Sequence, residues 1–464
     1  MYQYLSTAIL PDLIPQGSRI LVAVSGGPDS VALAHVLKRY REEKGSQNLF
    51  LVFTHVNHLA REEARAEAEL VERMAQEWGI PFILHEFNAR ENALKEGRGF
   101  QEASRDWRYA RWREDMEDWD CNILATAHHL GDQAETVLYR LLRGSGTTGL
   151  SGIFPSKNGI IRPLLSIPKK EILAYCHREG LKYAVDQSNL ETHYDRNRIR
   201  LELIPYLEKN YNEKIQESLG RTAEILRWDE EFFSSLISNL WSQLAEIRKQ
   251  GGLILDLKAW DQPPAILSRL LRKAAAEVSG EERGLEHKYI KTLMKNGRKT
   301  GWSQDLPGFK VQAMKKGLLF LEAHSQPEWA VTDDLEIELS PQIWHAIPGT
   351  DLVVGIFDRL PEEREILFST EFDKYQLADL GQPLVCRGRR PGDRMYFEKL
   401  GHKNIKKVFQ ERDISRFERQ TLPLIAVQNK VIWIPGVIRS DSLLPRDEKA
   451  SKLYCLLARK QKKS

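Results

Sequence analysis

Between residues 19 and 127, short apolar runs alternate with helix-periodic stretches, and this alternation limits what the chain can become. The runs at 19–24, 49–56, 80–87 and 121–127 predict strands; 30–44, 61–78 and 100–119 predict helices, and a further helix is predicted at 131–143. Strands alternating with helices imply an α/β fold with a parallel sheet covered on both faces. Near-continuous apolar strands such as NLFLVFTHV fit that double burial. Ligands of such sheets sit beyond the carboxyl ends of the strands. That edge is predicted to carry Ser25–Ser30, His55–His58 and His128–Asp132.

The first strand runs straight into Ser25, Gly26, Gly27, Pro28, Asp29 and Ser30. Without Cβ atoms, Gly26 and Gly27 let the backbone turn sharply and approach an anion. The amides of the following helix would face that anion with the favourable end of the dipole. Ser25 and Ser30 add hydroxyl donors. The lysine of the common phosphate loop, G-x-x-x-x-G-K-[ST], is missing. Asp29 beside phosphates would be repulsive unless Mg²⁺ lay between them. A plain glycine turn, with Ser25 or Asp29 capping the helix, is the alternative.

Other candidates lie on the same predicted edge. Asp132 and Glu135 are three apart on a helix and share a face, although Asp132 could equally complement the helix dipole. His128 and His129 form a two-histidine cluster with no further metal-ligand pattern. Arg196, Asn197 and Arg200 stand at a helix start. Arginine there can clamp phosphate bidentately, or serve an ordinary surface helix with pairs such as Arg198–Glu202. Arg105 and Arg108 belong to RDWRYARWR, which also reads as an amphipathic helix with its aromatics inward. His55 and Asn57 end the second strand, either facing a ligand or simply capping it. Gly144, Gly146 and Gly149 let a loop approach a ligand or form a flexible connection.

At 464 residues the chain needs more than one domain. Its 42% hydrophobic and 29% charged residues fit globular domains. No apolar run reaches the roughly 18 residues of a membrane span, and MYQYLSTAILPDLIPQ has no signal-peptide pattern. Four dispersed cysteines predict neither disulfides nor a zinc site, and fit a reducing cytoplasm. The net charge of +3 hides an asymmetry: 381–464 carries 20 basic and 8 acidic residues, whereas 324–380 carries 3 basic and 13 acidic. A basic module behind an acidic segment points to a polyanionic partner. The expected division is 1–212 as the α/β catalytic domain, 213–325 as a mainly helical domain, 326–380 as an acidic connecting segment, and 381–464 as a small basic α+β domain. A homodimer is compatible with the sequence, which leaves the oligomeric state open.

SGGPDS after a strand resembles the PP-loop of the N-type ATP pyrophosphatases. HVNHLARE (55–62), EASRDWRYAR (102–111), ATAHHLGDQAETVLYRLLRGSGTTGLSGI (125–153), RPLL (162–165) and DQSNLETHYDRNRIR (186–200) resemble, in that order, the tRNA(Ile)-lysidine synthetase family. CRGRRPGDRM, IKKVFQERDI and VIWIPG resemble that family's C-terminal tRNA-binding domain.

The resemblance implies an enzyme that splits ATP between its α and β phosphates and places AMP on O2 of the wobble cytidine of tRNA(Ile) with a CAU anticodon. The side-chain amine of free L-lysine would then attack C2 and expel AMP. That amine has an ordinary pKa near ~10.4, so it must lose a proton first. By the same resemblance, Ser25, Gly26, Gly27, Pro28, Asp29, Ser30, His55, Asn57 and Arg108 bind ATP, with Asp29 acting through Mg²⁺. Asp132 and Glu135, with His129 beside them, face the lysine substrate, and Arg196, Asn197 and Arg200 contact the ATP α-phosphate or the anticodon backbone. Asp29, Asp132, Glu135 and Arg196 carry the catalysis. Asp132, Glu135 or His129 could accept the lysine proton. Arg387, Arg389, Arg390, Lys403, Lys406 and Lys407 would contact tRNA. A PP-loop thiolase would need a nucleophilic cysteine beside the loop, and an amidotransferase would need a glutaminase domain; neither is evident. A non-catalytic RNA-binding protein would leave the intact loop and carboxylate pair unexplained.

Overall fold

The computed structural model describes residues 1–43, 48–57, 63–87, 100–184, 195–248, 252–280, 285–322, 335–361, 364–445 and 451–460. The chain divides into two compact units, 1–234 and 235–464. No helix among the described residues is long and apolar enough to cross a membrane.

The first unit is built on β1 (Arg19–Ala23), β2 (Phe50–Asn57), β3 (Phe82–Glu86), β4 (Ile123–Ala125), β5 (Ser156–Lys157) and β6 (Ile160–Ile161), in the order β3-β2-β1-β4-β6-β5. All neighbours are parallel except the β5–β6 edge hairpin. Among the helices of this unit are α1 (Pro28–Glu43), α2 (Glu63–Glu77), α3 (Phe100–Asp118), α4 (Leu130–Leu142) and α5 (Lys169–Arg178). One face of the sheet packs Ile20, Val22, Leu51 and Phe53 into a core with Val31, Leu33 and Leu37 of α1 and Tyr175 of α5. Leu21, Val52 and Leu124 point the other way, onto Trp112 of α3. Period-2 alternation therefore buries both faces, as the apolar strands predicted.

β1 is flanked by β2 on one side and β4 on the other, so the strand order switches there. The loops after β1 and β4 diverge from this point and leave a crevice. It brings residues 24–30 together with 126–132, a hundred residues apart in the chain.

A long helix, α6 (Ile215–Leu244), spans the division between the two units. In the second unit its last turns pack with α7 (Pro264–Ser279) and α8 (His287–Asn296) around one core. That core also takes in an antiparallel sheet absent from the sequence-based reading. The sheet comprises β7 (Ala245–Ile247), β8 (Leu253–Asp256), β9 (Ser303–Leu306), β10 (Phe309–Ala313) and β11 (Gly317–Glu322). The strands are short, and their turns carry a glycine at Gly308 with φ +80°.

The acidic segment is more than a connector. It contributes β12 (Glu336–Glu338), β13 (Trp344–Ala346), β14 (Leu352–Phe357) and β15 (Ile366–Asp373). The basic part adds β16 (Val385–Arg387), β17 (Arg394–Phe397), β18 (Gly401–Asn404), β19 (Leu424–Val427), β20 (Lys430–Ile434), β21 (Ile438–Arg439) and β22 (Lys452–Arg459). β22 lies between β14 and β15, and β12 pairs with β16. A boundary at residue 380 thus runs through two sheets and one shared core.

Candidate active site

The loop after β1 is closed by its own hydroxyls. Ser30 Oγ accepts the Ser25 amide at 3.1 Å, donates to Gly27 O at 2.9 Å, and lies 3.1 Å from Ser25 Oγ. Gly26 holds φ +86°, which an L side chain rarely adopts. The turn aims the start of α1 into the crevice and puts Asp29 in its first turn. Asp29 is held there by Lys169, the first residue of α5: Nζ donates to Oδ1 at 2.6 Å and to Oδ2 at 2.7 Å.

Across the crevice, α4 begins with a reciprocal cap. The His129 amide donates to Asp132 Oδ2 at 2.9 Å, and His129 Nδ1 accepts the Gly131 amide at 2.9 Å. Gly131 is needed here, because a Cβ would lie 2.7 Å from His129 Cε1. Since Nδ1 is an acceptor, the ring proton sits on Nε2, 3.6 Å from Asp132 Oδ2 and 4.0 Å from Asp29 Oδ2. His129 therefore positions the start of α4 and, in this tautomer, has no free ring lone pair.

Asp132 and Glu135 share one face, as their spacing predicted, and Arg200 lies across both. Arg200 Nη2 donates to Asp132 Oδ1 at 2.9 Å, and Nε donates to Glu135 Oε1. Glu135 is buried. Desolvation raises its pKa, with Arg200 pulling the other way. Asp132 thus serves both the helix cap and the carboxylate pair. Arg200, expected on a phosphate, bonds to the two carboxylates instead. His128, half-buried with Nδ1 3.0 Å from Thr126 Oγ1, has its pKa pushed down to about 4 by desolvation, against the pull of Asp132. Among the described residues no group of three or more His, Cys, Asp or Glu side chains could hold a metal ion.

The other predicted residues are placed as follows. His55 is buried with Nδ1 2.8 Å from Val24 O, so it fastens the end of β1 rather than lining the crevice. Asn57 is also buried, its carbonyl accepting the Phe87 amide at 2.9 Å. Arg108 stands half-buried with its guanidinium 5.9 Å above Trp112, and burial lowers its pKa. Arg105 lies 5.1 Å above Tyr109. Arg196 is exposed and lies 5.7 Å above Tyr139 of α4. Asn197 belongs to the same short helix, Asp195–Arg198. His58 and the Asp186-x-Ser188-Asn189 motif lie outside the described residues.

The loop holding Gly144, Gly146 and Gly149 is pinned. It contains a short helix, Thr147–Leu150, whose two threonine hydroxyls donate to the Glu230 carboxylate at 2.7 and 2.9 Å. Arg140 donates to the carbonyls of Gly149 and Gly152. Cys176 stands closer to the PP-loop than its place inside a helix pattern suggested, with Sγ 3.5 Å from Pro28 O. It is fully buried, and burial pushes its thiol up to about 11, so it stays protonated and unreactive.

In the basic module the predicted RNA contacts divide. Arg387 is wholly enclosed, donating to both Asp393 oxygens at 2.7 and 3.0 Å and to the carbonyls of Gly388 and Gln428. It ties strands together and cannot face an RNA. Sequence alone gave it the same weight as its neighbours in CRGRR. Arg390 pairs with Glu336 at 2.5 Å, and Lys403 bonds to Glu411 at 2.8 Å. Arg389 is half-buried, while Lys406 and Lys407 are exposed.

Two functional candidates escaped the sequence reading: Lys169 on Asp29, and Arg200 as the partner of both acids. The only hint for Lys169 was a pair of lysines at a helix start, where the macrodipole disfavours cations.

Residues 3–207 match the PP-loop domain family, and residues 384–454 match the TilS substrate C-terminal domain family. The tRNA(Ile)-lysidine synthase of Clostridium acetobutylicum is 33% identical over 431 residues, covering 91% of this chain and 92% of that protein. That of Caldanaerobacter subterraneus subsp. tengcongensis is 32% identical over 444 residues, covering 93% and 91%. The Symbiobacterium thermophilum enzyme is 33% identical over 464 residues, covering 93% and 92%. Similarity of this extent, together with a strand–PP-loop–helix site facing a carboxylate pair, establishes that the chain belongs to the tRNA(Ile)-lysidine synthase family, a family of ATP-using ligases.

Proposed function

We propose that the protein joins free L-lysine to C2 of the wobble cytidine of tRNA(Ile) bearing a CAU anticodon, through an O2-adenylated intermediate, releasing pyrophosphate and then AMP. The C2 carbonyl of cytidine is a poor electrophile. Adenylation turns O2 into a leaving group, and the lysine amine then displaces AMP.

The observation that carries this reading is the pairing of Asp132 and Glu135 on one face of α4, already bound to a side-chain cation and opposite the PP-loop. An amine-bearing substrate is matched by such a pair. Its spare proton falls to one of these carboxylates, because His129 Nδ1 is engaged by Gly131. Glu135, raised by burial, is the better matched acceptor.

The free loop amides and the exposed Ser25 would hold the pyrophosphate end of ATP, while Ser30, expected on the phosphates, is buried with its hydroxyl donated to Gly27 O and instead closes the loop. Asp29 fits Mg²⁺, which typically takes one or two carboxylates, substrate phosphates and water. Both Asp29 oxygens are engaged by Lys169, so the ion would enter by displacing that lysine. When bound, Mg²⁺ would neutralise phosphate charge beside Asp29. The exposed basic residues Lys406 and Lys407 would contact the RNA backbone, and the target base would leave its stack to reach the crevice.

The test is incorporation of labelled lysine into a tRNA(Ile) transcript with CAU anticodon, with and without ATP. Label in the RNA that requires ATP, and is lost when the wobble cytidine is replaced by uridine, is the expected result. Unlabelled RNA would refute the proposal. Label carried by sulfide instead would favour a thiolase, although buried Cys176 supplies no nucleophile for one.

A further inference from the structure

We propose that Lys169 is the phosphate-binding lysine that the PP-loop itself lacks, supplied from α5 and parked on Asp29. The proposal rests on the nucleotide reading given above.

A Walker-type loop carries its lysine within the loop sequence. Here SGGPDS has none, yet a lysine ammonium lies within hydrogen-bond distance of both oxygens of the loop's one carboxylate. The placement is otherwise unfavourable. Lys169 and Lys170 are the first two residues of α5, where the positive end of the helix dipole repels cations. The ion pair is also partly exposed, with side-chain exposures of 40% for Lys169 and 26% for Asp29, so as a stability device it is worth little. α5 is held firmly against α1: Tyr175 and Cys176 are fully buried, Tyr175 Oη lies 2.8 Å from His35 Nδ1, and Cys176 Sγ reaches Pro28 O. The backbone that carries Lys169 is therefore fixed, while its long side chain can pivot at the mouth of the loop.

Asp29 and Lys169 then work as an exchange pair. With Mg·ATP bound, Asp29 would hold the ion, and the ammonium of Lys169, released from Asp29, would turn to the β and γ phosphate oxygens. During adenylation the cytidine O2 forms a bond to the α phosphorus and the bond from that phosphorus to the αβ-bridging oxygen breaks. The electron pair leaves on pyrophosphate, whose added negative charge Lys169 would meet. Charge stabilisation of this kind accelerates phosphoryl and nucleotidyl transfer.

The alternative, that Lys169 merely neutralises Asp29, predicts the opposite sign. Removing a neutraliser frees Asp29 for Mg²⁺ and leaves or tightens nucleotide binding. Removing a phosphate ligand weakens it. The test is calorimetric titration of the full-length protein with Mg·ATP, Mg·pyrophosphate and AMP, for wild type, Lys169→Met and Lys169→Arg. The expected result is a loss of about tenfold or more for ATP and pyrophosphate in Lys169→Met, little change for AMP, and substantial recovery in Lys169→Arg. Pyrophosphate binding that is unchanged or tighter in Lys169→Met would overturn the proposal. Should that variant fail to fold, Lys169→Gln retains a donor for Asp29 without the charge and is read in the same way. A wild type that binds neither ATP nor pyrophosphate would overturn the nucleotide reading as well, which separates the two failures.

Discussion

Arg200 Nη2 donates to Asp132 Oδ1 at 2.9 Å, and the same guanidinium reaches Glu135 through Nε. Two carboxylates three residues apart on a helix would repel one another. Here a cation from residues 195–210 lies between them and holds their side chains in place. The pair is thus set for a positive group, and under the proposed function a lysine amine would have to share the carboxylates with Arg200 or displace it.

Arg200→Ala is expected to lower stability by about 1–3 kcal/mol, below the ~3–5 kcal/mol for breaking a fully buried pair, because Arg200 is itself partly exposed. The loss arises from leaving buried Glu135 without its cation. Adding Glu135→Gln should restore most of it. Urea unfolding of the two single variants and the double variant measures the coupling. Strictly additive effects would mean that the two side chains do not depend on each other.

Acid should weaken the first unit partly through His128. Its pKa is about 4 in the fold, against 6.5 for the free side chain. Between those values the unfolded chain binds more protons than the folded one, so stability falls as pH drops through that window. His128→Gln should flatten the curve there, by about 1–2 kcal/mol between neutral pH and pH ~4, less than the full shift because the ring is partly exposed. Parallel stability curves for wild type and variant would contradict this.

RNA binding by the basic module should depend on its exposed lysines and not on Arg387. Lys406→Ala with Lys407→Ala is expected to reduce the salt slope of tRNA affinity by about 1–2. Arg387→Ala should instead disrupt the fold around Asp393, seen as lost cooperativity in thermal unfolding. Point variants are the cleaner test, since removing 381–464 would take β22 from between β14 and β15. A salt slope unmoved by the double lysine variant would place the RNA elsewhere.

The first unit was legible because its signals are local. Apolar runs and glycine turns marked β1 to β4, and three-residue spacing put Asp132 and Glu135 on one face. Partners distant in sequence were not. Lys169 meets Asp29 across 140 residues and Arg200 meets Glu135 across 65, and no periodicity encodes either. The same limit explains Arg387, whose burial depends on Asp393 and Gln428 closing over it. In the middle of the chain, strong helical patterns masked β7 to β11, whose short strands rely on cross-chain pairing more than on propensity.

In the proposed reaction the RNA is adenylated before the lysine amine attacks it. The most direct test of this order uses ATP labelled at the α phosphate, with tRNA(Ile) bearing a CAU anticodon and no lysine. The label should pass to the RNA with release of pyrophosphate, and added lysine should then chase it into free AMP. Glu135→Gln should retain the first step and slow the chase. Pyrophosphate release that needs no RNA, or RNA that never acquires the label, would contradict the account.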